Sequence, residues 1–340
     1  MNKKIISSLE LGRVVAIFAI LAMHCGMFYS YFQFNEEPWF AYIFNQLTRF
    51  GVPLFFLLAG FFVQPKLATA PLDTLKQYSK PLVRIWVVWS AISLLFPFQW
   101  HVVMQNGYLA ERKGYWGYLG EAPLNSLLEG GLVHLWFIPA LIMAVGLIAL
   151  LNHYKQTRLL LPIAVVLYIY GVLAGSYVVV TDLPSPFFTR NGPFFATLMV
   201  AIGYLIRQNE FTLKSKTAAA IAVLGLLIHF GEAFALDGYD AAFNAHDYLF
   251  GTALWATGLF LWLLNHPDLG NNKVVHYLGK RVLAIYVSHI IFIIAMQNVA
   301  GMYGFQGPMG DLVVFGGTVV ITLLFVAIVE RTPLQKWLIR

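Results

Sequence analysis

One stretch constrains this chain more than any other: Leu9 to Phe32, LELGRVVAIFAILAMHCGMFYSYF. It is long and apolar enough to cross a bilayer, so the chain must fold around a membrane span. Yet it carries Arg13 near its start and His24 in its second half. An ionisable side chain at membrane depth is unfavourable by several kcal/mol unless paired or hydrated, so such residues point to function. The spacing adds a second constraint. The eleven-residue step from Arg13 to His24 turns an α-helix through roughly 1,100°, about 20° past three full turns, and rises about 16 Å. Both side chains therefore share one helix face, and the rest of the chain reads as the wall of a cavity against that face.

Composition agrees. Of 340 residues, 59% are hydrophobic and 11% are charged, and the mean hydropathy is +0.70. A soluble domain carries about 25% charged residues, so a soluble class is excluded. The net charge of +6 would suggest nucleic acid in a soluble chain. Here topology accounts for it, and no nucleic-acid partner is expected. The single cysteine, Cys25, rules out a disulfide framework and a multi-cysteine metal site. No small-residue cleavage site follows the first apolar run, which reads as an uncleaved span.

Apolar runs separated by charged or Pro/Gly-rich breaks predict an all-α polytopic membrane bundle of about ten transmembrane helices. They fall near 10–32, 45–64, 78–97, 133–151, 159–178, 193–207, 217–235, 247–265, 281–299 and 312–330. With the N-terminus in the cytoplasm, 18 of the 22 Lys and Arg fall inside, Lys3, Lys4 and Arg340 among them. Arg49, Arg112, Lys113 and Arg190 fall outside. This obeys the positive-inside rule and puts both termini in the cytoplasm. Residues 1–340 read as one integral-membrane domain, with 98–132 as an amphipathic, aromatic extracytoplasmic loop along the outer interface. No clear internal repeat, phosphate-cradling Gly-rich loop or intramembrane carboxylate pair emerges.

Setting loop anchors aside leaves a short set of polar residues. His24, Arg49, His134, Trp136, Arg190 and Asn191 belong to the outer half; Arg13, Lys80, Arg84 and Glu330 belong to the inner surface. Tyr286 and His289 lie within the ninth span, and His229 with Glu232 lie late in the seventh. A basic inner mouth binds an anion, and imidazole moves protons near neutral pH. The rise of about 16 Å along the first span suits a donor with a long arm between its phosphates and its reactive end, the shape of coenzyme A. Plain structural roles compete: snorkelling for Arg13, interface anchoring for Arg49, Arg190, His134 and Trp136, helix tethering for His289 and His229. Cys25, turned about 100° from His24, reads as a small buried hydrophobe. His246, Asp237, Asp240 and Asp247 lack a fixed ligand spacing, so no metal site is expected.

Several segments resemble the acyltransferase-3 family of integral-membrane acyltransferases. Arg13 and His24 look like its Arg-x10-His motif. Arg49 with VPLFFLLAG looks like the second-span signature, with Ala59 in place of the usual serine. HLWFIPAL from His134 is similar to the fourth-span start, and IYVSH ending at His289 resembles the Tyr-x-x-His of the penultimate span. TRNGPFF followed by Gly203 looks like a signature of the sugar-acetylating branch. The chain departs at the third span: Lys80-x-x-x-Arg84, with Pro81 where many members have arginine.

The resemblance implies transfer of an acyl group, usually acetyl, from cytoplasmic acyl-CoA to a hydroxyl of a cell-envelope or exopolysaccharide sugar. It implies a bacterial inner membrane and the one-piece form without a fused extracytoplasmic domain, acting on lipid-linked or polymeric sugar. No cofactor is held permanently. On that reading His24 is the general base, and Arg13 with Lys80 and Arg84 holds the CoA phosphates. Arg49 or Arg190, with Asn191, stabilises the oxyanion or grips the sugar, beside His134, Trp136, Tyr286 and His289. A transporter or flippase of a lipid-linked sugar or small anion stays open as the alternative, since buried Arg and His also mark permeation paths.

Overall fold

The computed structural model describes residues 6–339; Lys3, Lys4 and Arg340 lie outside the described residues. In chain order the helices are α1 (Ser7–His24), α2 (Trp39–Leu47), α3 (Gly51–Thr69), α4 (Pro71–Leu95), α5 (Trp100–Asn106), α6 (Tyr108–Glu121), α7 (Pro123–Glu129), α8 (Phe137–His153) and α9 (Leu160–Leu173). There follow α10 (Val178–Thr181), α11 (Pro193–Gln208), α12 (Ser215–Asp237), α13 (Phe250–Asn265), α14 (Lys273–Gly279), α15 (Val282–Met302), α16 (Gly307–Asp311), α17 (Gly317–Val329) and α18 (Gln335–Leu338). No strand occurs among the described residues. Pro123 and Pro193 open α7 and α11, where the missing N–H would have had no intrahelical partner.

Among the described residues, six segments are long and apolar enough to cross a membrane: Ser7–His24, Trp39–Thr69, Val133–His153, Ser215–Asp237, Val282–Met302 and Gly307–Val329. Pro71–Leu95 and Trp100–Asn106, bent by 46°, add a seventh if they form one span. The expected spans at 159–178, 193–207 and 247–265 are instead shorter apolar helices, Thr157–Leu173, Pro193–Gln208 and Phe250–Asn265. They fall below the about 20 residues that a perpendicular crossing takes. Hydropathy counts apolar residues whether or not they are helical; α9 stops at Leu173 although the apolar run continues to Val180.

The outer loop expected at 98–132 folds into α5, α6 and α7. Arg112, which the charge distribution assigns to the outer side, is fully buried there. Its Nη2 donates to Glu111 Oε1 at 2.6 Å, and its guanidinium lies over the rings of Phe98 and Tyr115.

The chain divides into two compact units. The first contains the chain through Ile17, Gln46–Lys80 and Pro139–Lys280. Its helices meet through glycine. A Cβ on Gly60 would lie 2.0 Å from Val200 O, and one on Gly203 would lie 2.0 Å from Leu57 O, so α3 and α11 touch backbone to backbone. Gly251 and Gly258 bring α13 equally close to His229 and Ala222 of α12. Such small-residue contacts join helices where apolar lipid removes the hydrophobic drive between them.

The second unit contains Phe18–Asn45, Pro81–Ile138 and the chain from Arg281. Here α15 packs on α17 and on the π-helical stretch Leu312–Gly316 that precedes it. Val320, Leu324 and Ile328 form an exposed apolar stripe on α17, while Thr318, Thr322 and Val326 are buried. A stripe repeating every four residues is one helix face, and an apolar face turned outward suits lipid as the surrounding solvent.

Candidate active site

Three imidazoles gather in the second unit. His24 ends α1, His134 lies in the 3-10 turn Val133–Trp136 leading into α8, and His289 lies in α15. The His24 and His289 ring centroids are 5.4 Å apart, and those of His134 and His289 are 5.1 Å apart. His134 and His289 are buried. Tyr286, one turn before His289, donates its hydroxyl to the His134 carbonyl and lies against Phe137, 5.4 Å between centroids. Trp136 is also buried.

Backbone carbonyls orient two of the rings. His289 Nδ1 is 2.6 Å from Tyr286 O, and His134 Nε2 is 3.2 Å from Val287 O. A carbonyl oxygen only accepts, so a neutral His289 carries its proton on Nδ1 and a neutral His134 carries it on Nε2. That leaves a lone pair on His289 Nε2 and on His134 Nδ1, and neither atom has a hydrogen-bond partner among the described residues. Two oriented lone pairs beside a third imidazole are what proton transfer requires.

The first unit holds a different cluster. Arg49 lies between α2 and α3, and Arg190 lies in the 3-10 turn Thr189–Asn191 before α11. Both reach Asp247 in the α12–α13 connection: Arg49 Nη1 to Oδ1 at 2.8 Å and Arg190 Nη1 to Oδ2 at 2.6 Å. Burial pushes the Asp247 carboxyl up, but the Arg190 and Arg49 guanidiniums outweigh it and hold it below its ordinary value of 3.8. Arg190 also lies over the Phe188 ring at 4.9 Å, and Asn191 is fully buried.

The sequence model of an acyltransferase domain matches residues 6–331, nearly the whole chain. The chain belongs to the acyltransferase-3 family. With its apolar helices it is a multi-pass membrane protein. It is similar to an amino-acid racemase of Enterococcus faecalis, 26% identical over 291 residues, covering 81% of this chain and 36% of that protein. It is also similar to a serine/alanine racemase of Enterococcus gallinarum, 28% identical over 295 residues, covering 82% and 39%. The chain thus spans about two fifths of the length of these curated relatives. No solved structure matches it.

The remaining residues that resemble family motifs are dispersed. Arg13, three turns before His24 on α1, belongs to the first unit, where its titratable neighbours are Glu10 and the Tyr78 hydroxyl. Glu10 is in turn bonded to His276. Lys80 is exposed. Arg84 places its guanidinium 5.6 Å from the centre of the Trp337 ring. Glu330 pairs with Arg281 at 2.6 Å.

His229 and Glu232, both late in the seventh expected span, make separate bonds within the first unit. His229 joins Gln46 and Thr252, each at 2.8 Å. Glu232 accepts from Tyr177 and from the first backbone N–H groups of α13, Phe250 and Gly251. Sequence reasoning missed Asp247 as the partner of both arginines. The only signal was that Asp247 is the one carboxylate within the expected span 247–265.

Proposed function

We propose that this protein transfers an acetyl or similar acyl group from acyl-CoA to a hydroxyl of a cell-envelope sugar. The observation that carries the reading is the three-imidazole cluster, with two of its rings oriented by backbone carbonyls. In the proposed step His24, assisted by His289, takes the proton of the acceptor hydroxyl as its oxygen attacks the thioester carbonyl. The carbon–sulfur bond breaks, CoA leaves as the thiol, and the proton returns to its sulfur. Such proton transfer contributes typically about 10²–10⁴ in rate.

Arg13, with Lys80 and Arg84, holds the CoA phosphates, for which guanidinium is well matched. Arg49, Arg190 and Asn191 grip the acceptor, while His134, Trp136 and Tyr286 frame the imidazoles. The reading takes the three shorter apolar helices as further spans, giving about ten with both termini cytoplasmic, in a bacterial cytoplasmic membrane. The positive-inside distribution of Lys and Arg supports that orientation.

A second reading is transport of a lipid-linked sugar or small anion, since buried Arg and His also mark permeation paths. Purified protein in detergent with radiolabelled acetyl-CoA separates the two. CoA release with label moving into extracted envelope glycolipid supports acyl transfer. Absence of CoA-dependent thermal stabilisation together with absence of transfer would favour transport.

A further inference from the structure

Two guanidiniums meeting one carboxylate need a reason, because like charges side by side repel. We infer that Asp247 is a positioning residue that keeps Arg49 and Arg190 assembled as a two-guanidinium site for an anionic group, phosphate or carboxylate, of the acceptor. Only the word acceptor rests on the acyl-transfer reading; the anion site does not.

The three residues come from distant segments, 141 residues between Arg49 and Arg190 and 57 between Arg190 and Asp247. Each carboxylate oxygen takes one arginine, at 2.8 and 2.6 Å. The assembly has a formal charge of +1, so it holds together when empty and still attracts an anion. Arg49 Nη2 also donates to Asn244 O at 3.3 Å, and the Arg49, Arg190 and Asp247 side chains stay 16%, 18% and 29% exposed, so an anion can reach them. Planar guanidinium forks are suited to phosphate and carboxylate.

The loop that carries Asp247 is held on both sides. Gln46 Nε2 donates to His246 O at 3.3 Å, and Ser176 Oγ donates to Tyr248 O at 2.8 Å. Tyr168 donates to Leu249 O at 2.6 Å. A chain of hydrogen bonds runs behind the loop. Leu249 N–H donates to Thr252 Oγ1 at 2.7 Å, and Thr252 Oγ1 is hydrogen-bonded to His229 Nδ1 at 2.8 Å. His229 Nε2–H then donates to Gln46 Oε1 at 2.8 Å, and the Gln46 amide closes on His246 O. The Gln46 oxygen only accepts, so His229 carries a proton on Nε2, and its ring is held at both nitrogens. His229 is thus a positioning residue one step further back.

The test uses the full-length protein in detergent, as wild type, Asp247→Asn, Asp247→Glu and His229→Gln. The first readout is the melting temperature in sodium phosphate or sodium acetate against chloride at equal ionic strength. The second is the separate KM for donor and acceptor. The inference expects one of the two anions to raise the wild-type melting temperature above chloride. The shift should be lost in Asp247→Asn and regained in part in Asp247→Glu. Acceptor KM should rise at least tenfold in Asp247→Asn, with donor KM unchanged. A shift with phosphate alone indicates a phosphate-bearing acceptor, and one with acetate alone a carboxylate.

If Asp247→Asn does not fold, His229→Gln carries the test, and a several-fold rise in acceptor KM alone is expected. A lower melting temperature with the anion shift and both KM values intact would reduce Asp247 to a structural pair and overturn the inference. So would a wild type that neither anion stabilises. If the wild type transfers no acyl group, the acyl-transfer reading fails, while the anion arm still decides this one.

Discussion

The imidazole cluster of the second unit and the arginine cluster of the first are oriented by opposite means. His134 and His289 are held by backbone carbonyls, which carry no full charge. Arg49 and Arg190 are held by a carboxylate, which carries a full one. A ring fixed by a neutral acceptor keeps one nitrogen free to take a proton. A guanidinium fixed by a carboxylate keeps its charge and its direction but has no proton to exchange at ordinary pH. The first arrangement suits chemistry and the second suits binding.

That contrast can be broken in four ways. The largest effect is expected from His24→Ala: acyl transfer should fall by about 10²–10⁴, with CoA-dependent stabilisation retained, as read by label transfer and thermal shift on one sample. Gly60→Ala comes next. Its Cβ would lie 2.0 Å from Val200 O, and overpacking of this kind is unfavourable by about 1–3 kcal/mol or more. Loss of folded, monodisperse protein is expected, and wild-type melting would show that α3 and α11 can separate freely.

Tyr286→Phe removes the hydroxyl donated to the His134 carbonyl. A fall of about 1 kcal/mol in stability is expected, with turnover reduced and donor KM unchanged. Asp247→Asn should have the smallest effect on stability, about 0.2–1 kcal/mol for a partly exposed ion pair. Its sign follows from linkage. A carboxyl held below 3.8 in the fold stabilises above that value and loses its contribution as pH falls through the lowered one. The melting difference between wild type and Asp247→Asn should therefore be flat from pH 8 to about pH 5 and close in stronger acid.

Helix class and the shared face of Arg13 and His24 were legible because both depend on local periodicity. His289 was legible through IYVSH, and His134 through HLWFIPAL. That these rings meet His24 was not, because 110 and 265 residues separate His24 from the other two. Asp247 was hidden for the same reason, 198 residues from Arg49. The burial of Arg112 was hidden for a different one. Its partner Glu111 is its sequence neighbour, and adjacent residues on a helix do not face each other, so spacing gave no hint of a buried pair. The span count was less legible, because an apolar run and a helix long enough to span are different properties, as α9 and α13 show.

The most direct test of the division between chemistry and binding is single-turnover transfer from bound acetyl-CoA, comparing wild type, His24→Ala, His289→Asn and Asp247→Asn at saturating acceptor. A chemical step slowed at least a hundredfold in His24→Ala, clearly in His289→Asn and by less than twofold in Asp247→Asn is expected. A chemical step intact in both histidine variants and lost in Asp247→Asn would contradict it.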